Sequence, residues 1–146
     1  MTTPPVLYFH SGDGGVSKPF QASVDAGHLL WKRQTEITAD DIATARGIIL
    51  PHAVDQLALM DMKDALEGFL DRGGRLILHC HVLREFITGL ENFIPMDKPK
   101  RADFELIRVA EHEIFGEYPT SAFASCKGVV GFYGRGHNPM PIDAQP

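Results

Sequence analysis

The segment from Arg46 to Gly89 constrains the fold of this chain more than any other. Two apolar runs rich in β-forming residues, Gly47–His52 and Arg75–Cys80, flank an amphipathic stretch, Asp55–Arg72, whose apolar residues recur every three or four positions. Gly73-Gly74 closes that stretch as a helix end does. The pattern predicts a strand, a helix and a second strand, and a helical crossover of this length joins parallel strands.

The residues before Arg46 continue the same alternation. Val6–His10 and His28–Gln34 are predicted as strands, with a short helix from Pro19 to about Ala26 between them and another beginning at Thr38. Alternating strands and helices of this kind predict an α/β protein with a three-layer, flavodoxin-like parallel sheet. We expect the strand order 2-1-3-4.

Beyond Gly89 the pattern is weaker and predicts an irregular carboxyl-terminal addition. Asp103–Val109 alternates charged and apolar residues, as a half-exposed strand does, and Gly128–Tyr133 is a second candidate strand. A length of 146 residues fits one domain, so we assign residues 1–146 to a single domain.

Composition excludes several classes of partner. Acidic residues outnumber lysine and arginine by 19 to 14, which gives a formal net charge of −5, whereas nucleic-acid binding requires a basic face. No apolar run approaches the length of about 20 residues that a membrane span needs, and the first residues lack the features of a signal peptide. Two cysteines make no disulfide framework. We therefore expect a cytoplasmic protein without nucleic-acid or membrane partners.

Two dipeptides at the predicted strand ends carry a resemblance to a known family. Leu50-Pro51 closes the first strand of the segment described above, and Cys80-His81 closes the second. In this arrangement, over about residues 6–89, the chain resembles the class I glutamine amidotransferase-like superfamily, in particular its PfpI-type and trehalose-utilisation-like branches. The resemblance implies an α/β domain that binds a small molecule at the strand-end rim, the edge of the sheet at which the parallel strands end.

For the cysteine hydrolases of that superfamily, the resemblance implies Cys80 as the nucleophile, with His81 and His52 as partners in proton transfer. A nucleophile held in a strained turn needs small residues two positions away on either side, where this chain has Leu78 and Val82. A cysteine-dependent hydrolase or amidase therefore stays open beside a binding domain in which Cys80 is a buried packing residue.

Histidines are concentrated at the predicted strand ends. In a parallel sheet His10, His52 and either His79 or His81 converge on the rim, and three imidazoles suit a transition metal. Their spacing matches no metal-binding motif. We therefore predict no metal and no cofactor, and a histidine-ligated metal hydrolase is the weaker alternative.

The remaining candidate contacts suit a small anionic ligand. The loop after the first strand offers backbone amides and a helix start, and arginine and histidine side chains elsewhere offer hydrogen-bond donors. The predicted ligand-binding residues are His10, Ser11, Gly12, Asp13, Arg84, Arg135 and His137. Because the last strand and helix of the family are shortened here, we expect a homodimer that covers the open surface.

Overall fold

The computed structural model describes residues 5–12, 15–126, 129–130, 136–142 and 144 of the chain. The chain forms two compact units, Met1–Leu90 and Glu91–Pro146. The first unit contains the strands and helices expected before Gly89. The second contains the carboxyl-terminal addition.

The first unit is built on a four-stranded parallel sheet. Its strands are β1 (Val6–His10), β2 (Leu29–Arg33), β3 (Gly47–Leu50) and β4 (Arg75–Leu78). They lie in the order β2-β1-β3-β4, which confirms the predicted order and the flavodoxin-like fold class. The third and fourth strands each end two residues earlier than predicted.

Four helices connect these strands. They are α1 (Lys18–Asp25), α2 (Ala39–Thr44), α3 (Gln56–Asp61) and α4 (Lys63–Asp71). The prediction of one helix over 55–72 is wrong, because the chain leaves helical geometry at Met62, where φ is −100° and ψ is 6°. The apolar positions continue across this break, so a pattern of side chains alone does not register it.

The ends of the helices are fixed by local hydrogen bonds. Thr38 and Asp41 form a reciprocal capping box at the start of α2, and the ammonium group of Lys32 donates to Asp41 at 2.7 Å, which lowers the pKa of that carboxyl. At the end of α4, Gly73 has a φ of 80°, and the Gly74 amide donates to the Phe69 carbonyl at 3.0 Å. This is the Schellman arrangement, and it turns the chain into β4.

Helices cover the two faces of the sheet unequally. Leu7 and Phe9 of β1 are fully buried on the face that packs against α2, α3 and α4. Tyr8 points to the opposite face, where its ring stacks on Trp31 of β2 at 4.2 Å and meets Phe20 of α1 at 5.1 Å. The sheet therefore has helices on both sides, as a three-layer fold requires.

The second unit contains short elements. Ile94–Pro95 (β5) pairs antiparallel with Gly136–His137 (β8), and Ser125–Cys126 (β6) with Val129–Val130 (β7); α5 spans Thr120–Ala124.

The strand predicted over 103–109 is absent, because residues 101–104 form a 3₁₀ turn and 105–109 have no strand partner among the described residues. Of the strand predicted over 128–133, the structure describes only Val129–Val130. No helix among the described residues is long and apolar enough to cross a membrane.

The tight turn into β4 makes a stability prediction. A methyl group at Gly74 would overlap the ring of Phe69, which is 3% exposed and packs in the main core. We expect Gly74→Ala to lower the free energy of unfolding by about 1–3 kcal/mol in urea denaturation, as overpacking does.

Gly68→Ala is the matched control, because it lies within α4 and its new methyl group meets only the flexible end of Arg72. It should raise the stability by up to about 1 kcal/mol, the usual gain for alanine over glycine in a helix. Equal effects of the two substitutions would contradict the packing described for Gly74.

Candidate functional site

The strand-end rim of the sheet is the candidate site. Because β1, β3 and β4 run parallel, the residues that follow them emerge at one edge, and this is where α/β proteins bind ligands. His10 is the last residue of β1, His52 lies two residues beyond β3, and His79 directly follows β4. Imidazole groups from three strands thus reach the same edge.

His52 and His79 contact each other at this edge. Their ring centroids are 6.5 Å apart and their planes are nearly perpendicular, at 85°. Both side chains are exposed. The His79 amide donates to the Leu50 carbonyl at 2.8 Å, which continues the β3–β4 hydrogen bonding one residue past the strand. The backbone of His79 is therefore fixed while its ring faces solvent beside His52.

His10 is half-buried and is held by two contacts. Its ring stacks on Trp31 at 5.3 Å, and its Nδ1 donates to the Gly12 carbonyl at 2.9 Å. Because a carbonyl only accepts, Nδ1 carries a proton, which leaves Nε2 as an acceptor whenever the ring is neutral. The indole N–H of Trp31 is buried and has no partner among the described residues. Ser11 and Gly12 are exposed next to this stack.

Cys80 lies on the opposite side of its backbone from the two neighbouring histidines. His79 and His81 are exposed, whereas Cys80 is 6% exposed and belongs to the main apolar core. β4 ends at Leu78 and the chain bends at Cys80, so the thiol turns into the core while the two histidines stay at the surface.

The environment of Cys80 disfavours a thiolate. Burial raises the pKa of the Cys80 thiol, so the protonated form dominates near neutral pH. Lys98 is the one non-glycine residue with a positive φ in the described part of the chain. Cys80 therefore lacks the left-handed backbone that we would expect at a strained nucleophile elbow.

The segment after Cys80 is irregular, with neither helix nor strand over residues 81–93. Gln56, the first residue of α3, holds it through three hydrogen bonds: its amide nitrogen donates to the His81 carbonyl at 2.7 Å, and its oxygen accepts from the amides of Leu83 and Arg84 at 2.7 and 3.1 Å. Farther along, Glu67 of α4 accepts from the Thr88 amide at 2.8 Å. The two helices thus fix the shape of this side of the rim.

A second glutamine fixes the loop after β3. Gln34 is 3% exposed and makes a paired hydrogen bond with the backbone of Asp55, donating to its carbonyl at 2.7 Å and accepting from its amide at 2.8 Å. The Asp55 carboxylate then caps α3 by accepting from the Leu57 and Ala58 amides. Gln34 and Gln56 were not predicted as site residues, because nothing local in the sequence marks a side chain that bonds to a distant backbone.

The other predicted contacts are distributed over the chain. Arg84 is exposed, and its guanidinium donates to the Leu83 carbonyl at 2.7 Å. His137 lies in β8 of the second unit and is exposed. Asp13 and Arg135 lie outside the described residues. Among the described residues there is no group of three or more histidine, cysteine or acidic side chains placed to hold a metal ion.

No protein-family model, no curated protein and no solved structure matches the chain.

The hydrogen bonds of Gln56 predict that the backbone after Cys80 is protected from hydrogen exchange. In Gln56→Met the amides of Leu83 and Arg84 lose their acceptor, so we expect their hydrogen exchange to accelerate on the order of tenfold, as loss of about one hydrogen bond implies. Two-dimensional NMR resolves both amides. Gln21→Met is the control, since among the described residues the Gln21 side chain bonds to Asp25 alone, on the exposed face of α1. Unchanged exchange at both amides in Gln56→Met would contradict the role of Gln56.

The burial of Cys80 predicts its reactivity. Near neutral pH we expect iodoacetamide to modify Cys80 at least about tenfold more slowly in the folded protein than in the urea-unfolded chain, because the folded thiol is both covered and held protonated. Mass spectrometry of the peptide containing Cys80 measures the two rates. Modification that is faster in the folded protein would mark an activated thiolate instead.

Proposed function

We propose that this protein is a binding domain that takes up a small anionic molecule at the strand-end rim without forming a covalent bond to it. The observation that carries this proposal is the exposed contact between His52 and His79 at the ends of adjacent parallel strands. Imidazole N–H groups donate hydrogen bonds to carboxylate and phosphate oxygens, and a protonated ring adds a positive charge.

The neighbouring backbone supports an anion as well. Helix α1 begins after the loop that follows β1, so its amino terminus opens towards the rim. Its N-cap residue, Ser17, makes no side-chain hydrogen bond to the helix, and the first turn contains no acidic residue. Pro19 has no amide hydrogen and the Phe20 amide donates to the Ser17 carbonyl at 2.9 Å, so in this proposal the helix start offers the Lys18 amide and the positive end of the helix dipole to an anion.

The position of Cys80 favours binding over covalent catalysis. A hydrolase would need its sulfur exposed, deprotonated and close to a histidine ring. Cys80 instead packs in the core, where burial raises its pKa, whereas His81 is exposed. In this proposal Cys80 contributes packing, and the histidines contribute the ligand contacts.

The proposal includes kinship with the class I glutamine amidotransferase-like superfamily. The parallel order 2-1-3-4 and the positions of Leu50-Pro51 and Cys80-His81 at the strand ends support this kinship.

A titration with inorganic phosphate followed by NMR tests the proposal. We expect saturable shift changes at His52, His79 and the Ser11–Gly12 amides. The double substitution of His52 and His79 by alanine should weaken binding by at least about tenfold, the usual effect of losing hydrogen bonds to a charged group. If phosphate binds too weakly to saturate, a dicarboxylate such as malonate is the second probe.

His28→Ala is the matched control. His28 is also exposed but precedes β2, so it lies at the opposite edge of the same sheet. Cys80→Ser should leave the affinity unchanged. Equal weakening by His28→Ala, or loss of binding in a folded Cys80→Ser protein, would contradict the proposal.

A further inference from the structure

His10 is held so that one of its two ring nitrogens is left to accept a hydrogen bond. Its Nδ1 donates to the Gly12 carbonyl at 2.9 Å, and its ring stacks on Trp31 at 5.3 Å with an angle of 22° between the planes. The Tyr8 ring also lies flat against Trp31, at 4.2 Å, and supports the stack. The hydrogen bond fixes the tautomer and the stack fixes the orientation of the ring, so Nε2 of the neutral imidazole is an acceptor with a defined direction.

Nε2 of His10 is open to a ligand. Among the residues that the structure describes, no group donates a hydrogen bond to it. The side chain is half-buried, and Nε1 of Trp31 is the one buried side-chain nitrogen or oxygen without a partner in the described part of the chain, so Nε2 of His10 reaches solvent. Such an acceptor binds a group that carries a proton, whereas the oxygens of a carboxylate or a phosphate dianion have none to give.

The register of the sheet sets the distance between His10 and the histidine pair at the ends of β3 and β4. Tyr8 of β1 and Ile77 of β4 lie opposite the same residue of β3, and His10 and His79 each follow two residues later. The His79 amide is still hydrogen-bonded to β3, so the pairing continues to this level. Neighbouring strands lie about 4.8 Å apart, which places the backbones of His10 and His79 about 10 Å from each other.

We propose that the small anion of the strand-end rim also carries a hydroxyl group, which donates a hydrogen bond to Nε2 of His10 while His52 and His79 bind the anionic group. This inference rests on the proposed function, because it names the class of molecule bound at the same site: a hydroxylated phosphate or carboxylate. His10 then determines specificity, since an anion without a donor leaves Nε2 unsatisfied. A hydroxyl group supplies the proton without a charge, whereas an ammonium group would reduce the negative charge that the histidine pair attracts.

Calorimetric titration with a matched pair of phosphate monoesters tests this proposal. The probes are a butyl phosphate with a terminal hydroxyl group and the same compound with a terminal methyl ether, whose oxygen accepts but does not donate. At about pH 8, where free imidazole is neutral, we expect the hydroxyl compound to bind about threefold to tenfold more tightly, as one hydrogen bond implies. The corresponding pair of pentanoates shows whether the bound anion is a phosphate or a carboxylate.

Variants of His10 show whether the preference for the hydroxyl compound arises there. His10→Phe keeps a ring against Trp31 but removes the acceptor, so the two compounds should bind equally. His10→Gln, whose amide oxygen accepts a hydrogen bond at a similar reach, should retain part of the preference. His28→Phe is the control and should keep the full preference, because His28 is exposed and precedes β2 at the opposite edge of the sheet.

Long-range proton–nitrogen NMR of His10 gives a readout that does not depend on affinity. We expect a proton on Nδ1 and a bare Nε2 in the free protein, and a shift of the Nε2 resonance with the hydroxyl compound that the methyl ether does not produce. A bare Nδ1, equal affinity of the two compounds, or a preference that persists in His10→Phe would overturn the inference. Equal affinity with saturable binding leaves the proposed function standing, whereas absent binding of every anion overturns both.

Discussion

Parallel pairing of β1 with both of its neighbours is the constraint on which the first unit depends. β1 lies inside the sheet, hydrogen-bonded to β2 on one side and β3 on the other. On one face of β1, Leu7 and Phe9 are fully buried and pack against α2, α3 and α4. Because these strands pair parallel, their carboxyl ends lie at one edge of the sheet.

The character of that edge follows from two further effects. The chain bends at Cys80 just after β4, and the thiol lies in the core while His79 and His81 are exposed. Backbone groups at the edge then need partners, and Gln34 and Gln56 supply them from neighbouring elements. The result is an ordered, histidine-bearing surface beside a buried thiol whose pKa is raised by burial, and the proposed binding function rests on this surface.

Much of this arrangement could be predicted from the sequence, and the failures have physical causes. The strands and the placement of His10 and His52 at or just after strand ends followed from apolar runs separated by helical spacing, which are local signals, and the alternation of strands with helices indicated a parallel sheet. The break at Met62 was missed, since the apolar face continues across it. The alternation of charged and apolar residues over 103–109 agrees with the alternation of exposed and half-buried residues that the structure has over 105–109. Whether such a segment pairs with another strand depends on the whole fold, so the local pattern did not reveal that it has no strand partner among the described residues. Gln34 and Gln56 act on backbone far away in sequence, where no local pattern exists.

The most direct test of the parallel sheet and its histidine-bearing rim is a nuclear Overhauser experiment on the uniformly labelled protein. If parallel strands deliver both rings to one edge, ring protons of His52 and His79 give a cross-peak, and amide contacts between β1 and β3 follow the parallel register in which Leu7 lies opposite Ile48. Absence of the ring cross-peak in an assigned spectrum, together with antiparallel contacts between β1 and β3, would contradict both the sheet and the rim built on it.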